Sequence, residues 1–217
     1  MSYQENSQRL FFVRYVGDCE GKSIRGVIEM SHEKIDRHII IEEWYQELKC
    51  ALDDGKVMTA FGGDDERNGE VLMDFYEYIY EVYEEDLPSW AHTYIQVYSW
   101  QFQAFHEGVQ TYYENFYEDN DYASIMKAAD YLRENDYREI YEIFVSAAVN
   151  CDQGNYPKEK SDLLWKVQEW IDDEEHVETV WHFYIDILEK NKTELLRATN
   201  SGKSLKDTNN KMEGNHD

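Results

Sequence analysis

Hydrophobic positions follow two different patterns along the chain, and the change lies near residue 64. Before it, two runs rich in β-branched and aromatic residues, 9–16 and 22–30, flank a turn-like segment, which is typical of strands. Residues 37–41 predict a third strand, and residues 42–52 a short helix that Asp53, Asp54 and Gly55 would close. We therefore expect residues 1–63 to form a small β-containing N-terminal region.

From residue 66 onward the apolar positions recur every three or four residues, which indicates helices. The expected helices span residues 67–85, 88–106, 108–117, 121–134, 136–150, 157–172 and 175–195. The two prolines, Pro88 and Pro157, each stand where a helix should begin, which is a favoured position for proline. Residues 196–217 lack hydrophobic periodicity and are expected to be a disordered tail. The predicted class is thus α+β but predominantly α-helical, with an acidic α-helical domain over residues 64–195.

The charge of the chain is strongly negative and unevenly distributed. Its 217 residues include 46 acidic and 21 basic ones, which gives a net charge of -25. Residues 61–195 carry 32 acidic and only 9 basic residues, and no Lys or Arg occurs from residue 68 to residue 126. DNA and anionic membrane surfaces bind proteins through Lys and Arg, so this distribution excludes both as direct ligands.

One predicted helix, residues 67–85, separates apolar and acidic side chains onto opposite sides. Leu72, Phe75 and Ile79 mark the apolar side, and six carboxylates extend over roughly 22 Å of the other side. Their spacing of roughly 4 Å approaches the roughly 3.4 Å at which one DNA strand places its charges along the helix axis. We call these six residues the acidic stripe: Glu70, Asp74, Glu77, Glu81, Glu84 and Glu85.

Like charges stand four residues apart in the acidic stripe, for example at Glu70–Asp74 and Glu77–Glu81. Helix surfaces more often pair Glu with Lys at this spacing, and each like-charge pair costs a few tenths of a kcal/mol. A generic acidic, solvated surface is the alternative interpretation, but the missing Lys and Arg favour a surface that meets a cationic partner. Four further acids extend the candidate interface: Glu114, Glu118, Asp119 and Asp121.

Residues 106–115 (HEGVQTYYEN) resemble the signature of the bacterial DNA-mimic protein family, which runs approximately N-G-G-F-x-Q-[YF]-F-x-N. Gly108, Tyr112 and Asn115 match the signature, and Tyr113 is an aromatic equivalent. The residues that depart from it are His106, Glu107, Val109 and Thr111. Residues 122–148 also resemble the two helices that follow the signature in that family, so the resemblance covers about residues 85–190.

The resemblance implies an α-helical domain that is often dimeric. Characterised members of the family present acidic residues where DNA phosphates would lie, and they occupy a DNA-binding protein such as a helix-turn-helix repressor. For this chain the resemblance therefore implies a basic protein partner and a possible homodimer.

No motif for catalysis, metal binding or a cofactor is present. His106-Glu107 is not followed by the second histidine of HExxH, and His176 and His182 are six residues apart, which does not place them on one helix face. Gly62-Gly63 lacks the lysine of a phosphate loop. We expect a protein that is not an enzyme and that holds no metal ion or cofactor.

The cysteines and the ends of the chain indicate a cytoplasmic protein. Cys19, Cys50 and Cys151 are odd in number and lack metal-type spacing, which favours reduced thiols. The first residues show no basic-then-apolar signal pattern, and no apolar run approaches the roughly 20 residues of a membrane helix.

Three functions remain open. The first is a DNA mimic that sequesters a basic DNA-binding protein, such as a transcription regulator, nucleoid protein or nuclease. The second is an acidic regulatory or immunity-type binding module for a basic protein without DNA mimicry, and the third is an enzyme with an unrecognised site. Aromatic residues at helical spacing are more often core, but Tyr76, Tyr80 and Tyr83 are candidates to flank a protein interface.

Overall fold

A computed structural model describes residues 15–17, 23–25, 37–54, 66–83, 86–118, 122–148 and 160–201. Within these residues the chain forms eight helices. Their bounds are α1 Arg37–Asp53, α2 Glu66–Tyr83, α3 Ser89–His106, α4 Val109–Glu118, α5 Tyr122–Glu134, α6 Arg138–Ser146, α7 Ser161–Ile171 and α8 Glu174–Ser201. The helices predicted after residue 66 are confirmed, with the largest difference at α8, which continues to Ser201 instead of ending at residue 195.

The predicted α+β class is wrong, because the interpretable structure is about 90% helical and the fold is all-α. Residues 37–41, predicted as a strand, begin helix α1. Isoleucine favours strands, but Ile41, Tyr45 and Leu48 are buried at the helical spacing i, i+4, i+7. Burial of that apolar face outweighs the intrinsic preference of a few β-branched residues.

The chain divides into two compact units, Met1–Asp36 and Arg37–Asp217. In the first unit, β1 (Tyr15–Gly17) pairs antiparallel with β2 (Ser23–Arg25). In sequence, these two strands overlap the runs 9–16 and 22–30 that were predicted as strands. A pair of three-residue strands is too small to form a layer of a domain, so it does not change the all-α class.

Helix α3 lies at the centre of the helical unit. It packs against α2, α4, α5, α7 and α8, and most of its side chains are buried. A helix that is buried over most of its circumference must satisfy its buried polar side chains internally. Gln96 accepts a hydrogen bond from the Tyr112 hydroxyl of α4 at 2.7 Å, and Gln101 accepts one from the Tyr184 hydroxyl of α8 at 2.8 Å.

Helix α1 and the end of α8 belong to the same helical unit. The Trp181 indole on α8 donates to the Leu48 carbonyl on α1 at 2.9 Å, and the Tyr78 and Thr199 hydroxyls are 2.7 Å apart. Helix α1, part of the region predicted for residues 1–63, therefore packs with α2 and α8. The first residues of the predicted tail, 196–201, are helical, and residues 202–217 lie outside the described part.

Cys50, on α1, is disulfide-bonded, and its partner lies outside the described residues. This bond is at odds with the expectation of reduced thiols. Among the described residues, no helix combines the length and the apolar character that a membrane span requires.

Candidate functional site

Helix α2 carries the acidic stripe, and its other side is fixed in the core. Leu72, Phe75 and Ile79 are at most 1% exposed, as predicted. The Trp44 ring of α1 meets the Phe75 ring edge-on at 5.3 Å, and the Tyr94 hydroxyl of α3 donates to the Leu72 carbonyl at 3.0 Å. These contacts to two neighbouring helices determine which side of α2 faces solvent.

The solvent side of α2 presents the described part of the acidic stripe. Glu70, Glu77 and Glu81 are exposed and Asp74 is partly buried. From Glu70 to Glu81 the helix rises roughly 16 Å, so these four carboxylates follow one another about every 5 Å. Glu84 and Glu85, the other two members, lie outside the described residues.

These carboxylates are not a row of bare charges. Glu70, Asp74 and Glu81 each take part in an interaction, so none of the three is without a partner. The negative potential of this face therefore comes from the local excess of acidic over basic residues. That excess comes from the composition of α3, α4 and the part of α2 after Arg67, because no Lys or Arg occurs in residues 68–126.

Glu114, the member of the second predicted group of acids whose side chain the structure describes, does not lie on the same face. Glu114 is partly buried on α4, where its carboxylate accepts a hydrogen bond from Gln110 at 2.5 Å. On α3, Gln96 contacts α4 and Tyr98 contacts α2. These two residues are two positions apart, so their side chains leave α3 in directions that differ by about 200°. Helices α2 and α4 thus pack on opposite sides of α3. Glu118 ends α4, its side chain is outside the described part, and so are Asp119 and Asp121.

A row of apolar and aromatic side chains, exposed except for the partly buried Tyr76 and the buried Tyr98, borders the acidic stripe. Tyr76 contacts Tyr80 at 5.0 Å on α2 and Tyr98 at 5.1 Å on α3, and Tyr98 stacks on Phe102 at 5.8 Å. Phe102 in turn contacts His106 at 4.3 Å, and Met73 lies one turn before Tyr76 on α2. We call these six residues the aromatic strip: Met73, Tyr76, Tyr80, Tyr98, Phe102 and His106.

Sequence reasoning identified only part of this strip. Tyr76 and Tyr80 belong to it, but the third predicted tyrosine, Tyr83, packs edge-on against Trp90 at 5.8 Å. Burial raises the pKa of Tyr83 to about 12, with Glu194 of α8 adding to the effect. The spacing of Met73, Tyr76 and Tyr80 at i, i+3, i+7, on the side away from the core, is the signal that could have found the α2 half.

Three of the residues that resemble the DNA-mimic signature, Gly108, Tyr112 and Tyr113, serve the fold, and the side chain of Asn115 lies outside the described part. Gly108 has φ of 92° and ends α3, in a backbone region that favours glycine. Tyr112 and Tyr113 are 0% exposed, and the Tyr113 hydroxyl donates to the Phe144 carbonyl at 2.7 Å. The turn accounts for Gly108, and the aromatic core contacts account for Tyr112 and Tyr113.

A further group of acids surrounds His176. Its Nε2 and Nδ1 lie 3.5 Å from carboxylate oxygens of Glu139 and Asp173, and its ring stacks on Trp170 at 4.5 Å. Within the described ranges, no group of three or more His, Cys, Asp or Glu side chains is arranged to hold a metal ion. This cluster therefore offers a solvated acidic surface and an aromatic contact that orients the imidazole.

Comparison of the chain with protein-family models, curated proteins and solved structures returned no match. The resemblance of residues 106–115 to the DNA-mimic signature thus stays a prediction.

Proposed function

We propose that this chain is a non-catalytic binding protein that sequesters a basic, DNA-binding protein as a DNA mimic does. The observation that carries the proposal is the exposed row of Glu70, Glu77 and Glu81 on a helix whose opposite side is fixed in the core. Charges held on a rigid element attract a cationic surface without a large ordering cost on binding.

The charge of the whole chain supports the same function. A net charge of -25 repels DNA, RNA and anionic membranes and attracts cationic proteins over a range that salt limits to about 8 Å. The described carboxylates, at about 5 Å per charge, are somewhat sparser than the phosphates of one DNA strand, at roughly 3.4 Å per charge. We therefore expect α2 to attract phosphate-binding residues by charge, without reproducing the full geometry of a DNA groove.

The test uses the full-length chain immobilised on beads and a nuclease-treated cell lysate. Bound proteins are identified by mass spectrometry, and elution with duplex DNA is compared with elution by buffer of the same ionic strength. We expect basic DNA-binding proteins to be retained and to be released by DNA at lower ionic strength than by salt alone. Retention of basic proteins that do not bind DNA, with no effect of duplex DNA, would contradict DNA mimicry.

A matched pair of charge variants locates the surface. The variant Glu70→Gln, Glu77→Gln, Glu81→Gln removes three exposed charges from α2 and leaves the partly buried Asp74 in place. Its control, which removes three exposed charges from α8, has the same net charge: Glu174→Gln, Glu175→Gln, Glu178→Gln. We expect the α2 variant to bind the captured protein with a slower on-rate and the α8 variant to bind normally. An equal loss in both would show that only total charge matters.

One observation favours the second function, an acidic binding module that does not imitate DNA. Tyr80 and Phe102 are 41% and 39% exposed beside the acidic stripe, and DNA offers no comparable apolar surface at its phosphates. The elution experiment separates the two functions, because only a mimic competes with DNA for the same surface of the partner.

A further inference from the structure

We infer that the aromatic strip and the acidic stripe together dock one amphipathic, cationic segment of a protein partner. The apolar side of that segment would lie on the strip, and its Arg or Lys side chains would reach the carboxylates of α2. This inference rests on the proposed function and names the kind of partner surface that the site takes.

The strip is an apolar surface built by two helices. Met73, Tyr80 and Phe102 are 41%, 41% and 39% exposed, and ring contacts link Tyr80 to Phe102 through the partly buried Tyr76 and the buried Tyr98. Exposed apolar groups scattered singly are ordinary on protein surfaces, whereas a contiguous apolar patch rimmed by charges marks an interaction surface. The strip meets that description because the acidic stripe forms one of its edges.

The acids lie within reach of any segment on the strip. Glu77 follows Tyr76 directly in the chain and lies one helical turn from Met73, and Glu81 follows Tyr80. Successive residues of a helix are rotated by 100°, so each of these acids lies beside the tyrosine that precedes it. On the solvent side of α2, the tyrosines form the edge near α3 and the acids form the other edge. A bound segment would meet apolar side chains on one flank and carboxylates on the other.

The occupant must bring positive charge. Residues 68–126 contain no Lys or Arg, so α3, α4 and the part of α2 after Arg67 contribute no such cation to this face. A second copy of this chain, with its net charge of -25, would bring mainly like charge. A basic amphipathic helix, with apolar side chains at i, i+3, i+4 and i+7, matches both halves of the surface.

The strip itself also favours cations. Burial raises the pKa of Tyr80 to about 12, with Tyr76 adding to the effect, so the phenol is neutral at physiological pH. Arginine and lysine side chains bind the faces of tyrosine and phenylalanine rings, and their aliphatic stems cover apolar surface. Part of the affinity should therefore survive salt concentrations that screen the carboxylates.

The test uses two fluorescein-labelled 18-residue peptides composed of leucine and arginine. One has leucines at helical i, i+3, i+4, i+7 spacing, and the other is its scrambled isomer of equal charge. We expect the amphipathic peptide to bind the full chain at least roughly tenfold more tightly in fluorescence anisotropy, as burial of a few partly exposed side chains implies. The preference should persist at high salt, whereas binding of the scrambled peptide should be lost.

Variants on the strip identify where the preference arises. The triple variant Met73→Gln, Tyr80→Gln, Phe102→Gln should bind both peptides equally, at the affinity of the scrambled one. Its control is Trp165→Gln on α7, which removes an even more exposed aromatic ring, 66% exposed, from another helix and should leave the preference unchanged. In the wild-type chain, the methyl NMR signal of Met73 should shift on addition of the amphipathic peptide, which tests the site without any substitution.

The inference is overturned if the two peptides bind equally, if the triple variant keeps the preference, or if Trp165→Gln abolishes it. It is also overturned if sedimentation shows a wild-type dimer that the triple variant dissociates, because the strip would then hold a second copy. The DNA-elution experiment is independent of these results. Failure there with a persistent peptide preference would reject DNA mimicry and leave the docking surface intact.

Discussion

The hydrogen bond between Gln101 of α3 and Tyr184 of α8 makes a sharp test of the central packing. Both residues are at most 1% exposed, and the hydroxyl donates to Gln101 Oε1 at 2.8 Å. Gln101 Nε2 has no hydrogen-bond acceptor among the described residues. The core therefore contains one satisfied polar group, Gln101 Oε1, and one unsatisfied group, Gln101 Nε2. Substitution of Tyr184 and substitution of Gln101 should therefore change the free energy of unfolding by different amounts.

The variant Tyr184→Phe keeps the ring and its contact with Tyr94 at 5.3 Å, but it leaves the whole Gln101 amide without a partner in the core. An unsatisfied buried polar group costs about 1–3 kcal/mol, so we expect a loss of about 2 kcal/mol in the free energy of unfolding. Gln101→Leu should cost less, about 1 kcal/mol, because it strands the Tyr184 hydroxyl but removes an unsatisfied amide N–H.

The double variant Gln101→Leu, Tyr184→Phe removes all of these polar atoms and should be at least as stable as the wild type. The coupling energy would then be about 3 kcal/mol, at the upper end for residues in direct contact. Urea unfolding followed by circular dichroism measures it, with equal m-values as the control that all four proteins unfold from comparable states. If the losses in free energy of unfolding are additive, so that the double variant is less stable than either single variant, this account of the core is wrong.

Four other expectations follow from the same structure. Gly108→Ala should lower the free energy of unfolding by about 1 kcal/mol or more, because alanine is strained at a φ of 92°, and Gly108→Asn should lower it less. Equal stability of the two variants and the wild type would contradict this reading of the turn. Phe144→Ala should cost about 3–5 kcal/mol in urea unfolding, because the ring is 0% exposed, and a loss below 1 kcal/mol would show that this site is not core. Burial raises the pKa of Tyr45, Tyr80 and Tyr83 to about 12. The free energy of unfolding that their neutral phenols contribute is therefore fully present below about pH 10 and is lost as the pH rises through about 12. Tyrosine absorbance should show that these phenols ionise at higher pH in the folded chain than in urea. Identical titration curves in the two states would contradict the expectation. Added NaCl should raise the urea midpoint by screening the net charge of -25, and a falling midpoint would show that attractive ion pairs dominate.

Residues 66–201 show how much local pattern predicts. The helices of this part follow from 3.6-residue periodicity, and the burial of Leu72, Phe75 and Ile79 follows from the same rule. The solvent side of α2, with Glu70, Glu77 and Glu81, was predictable because the two sides of one helix are related by rotation alone.

Segment 37–41 shows where local pattern failed. Its isoleucines match a strand by composition, but Ile41 lies in line with Tyr45 and Leu48 on α1, which packs against α8 more than a hundred residues away. The pairing of Trp181 with the Leu48 carbonyl cannot be read from either segment alone. The α+β class was wrong for this reason.

The sequence by itself determined the charge, the helices after residue 66 and the division of α2 into apolar and acidic sides, because each depends on composition or on residues within a few turns. Only the tertiary structure decided which surfaces adjoin. It put Glu114 on the far side of α3 from the acidic stripe, and it joined Tyr76 of α2 to Tyr98 of α3 to make the aromatic strip. Contacts between helices depend on how side chains from distant parts of the chain fill one core, and periodicity carries no information about that partner choice.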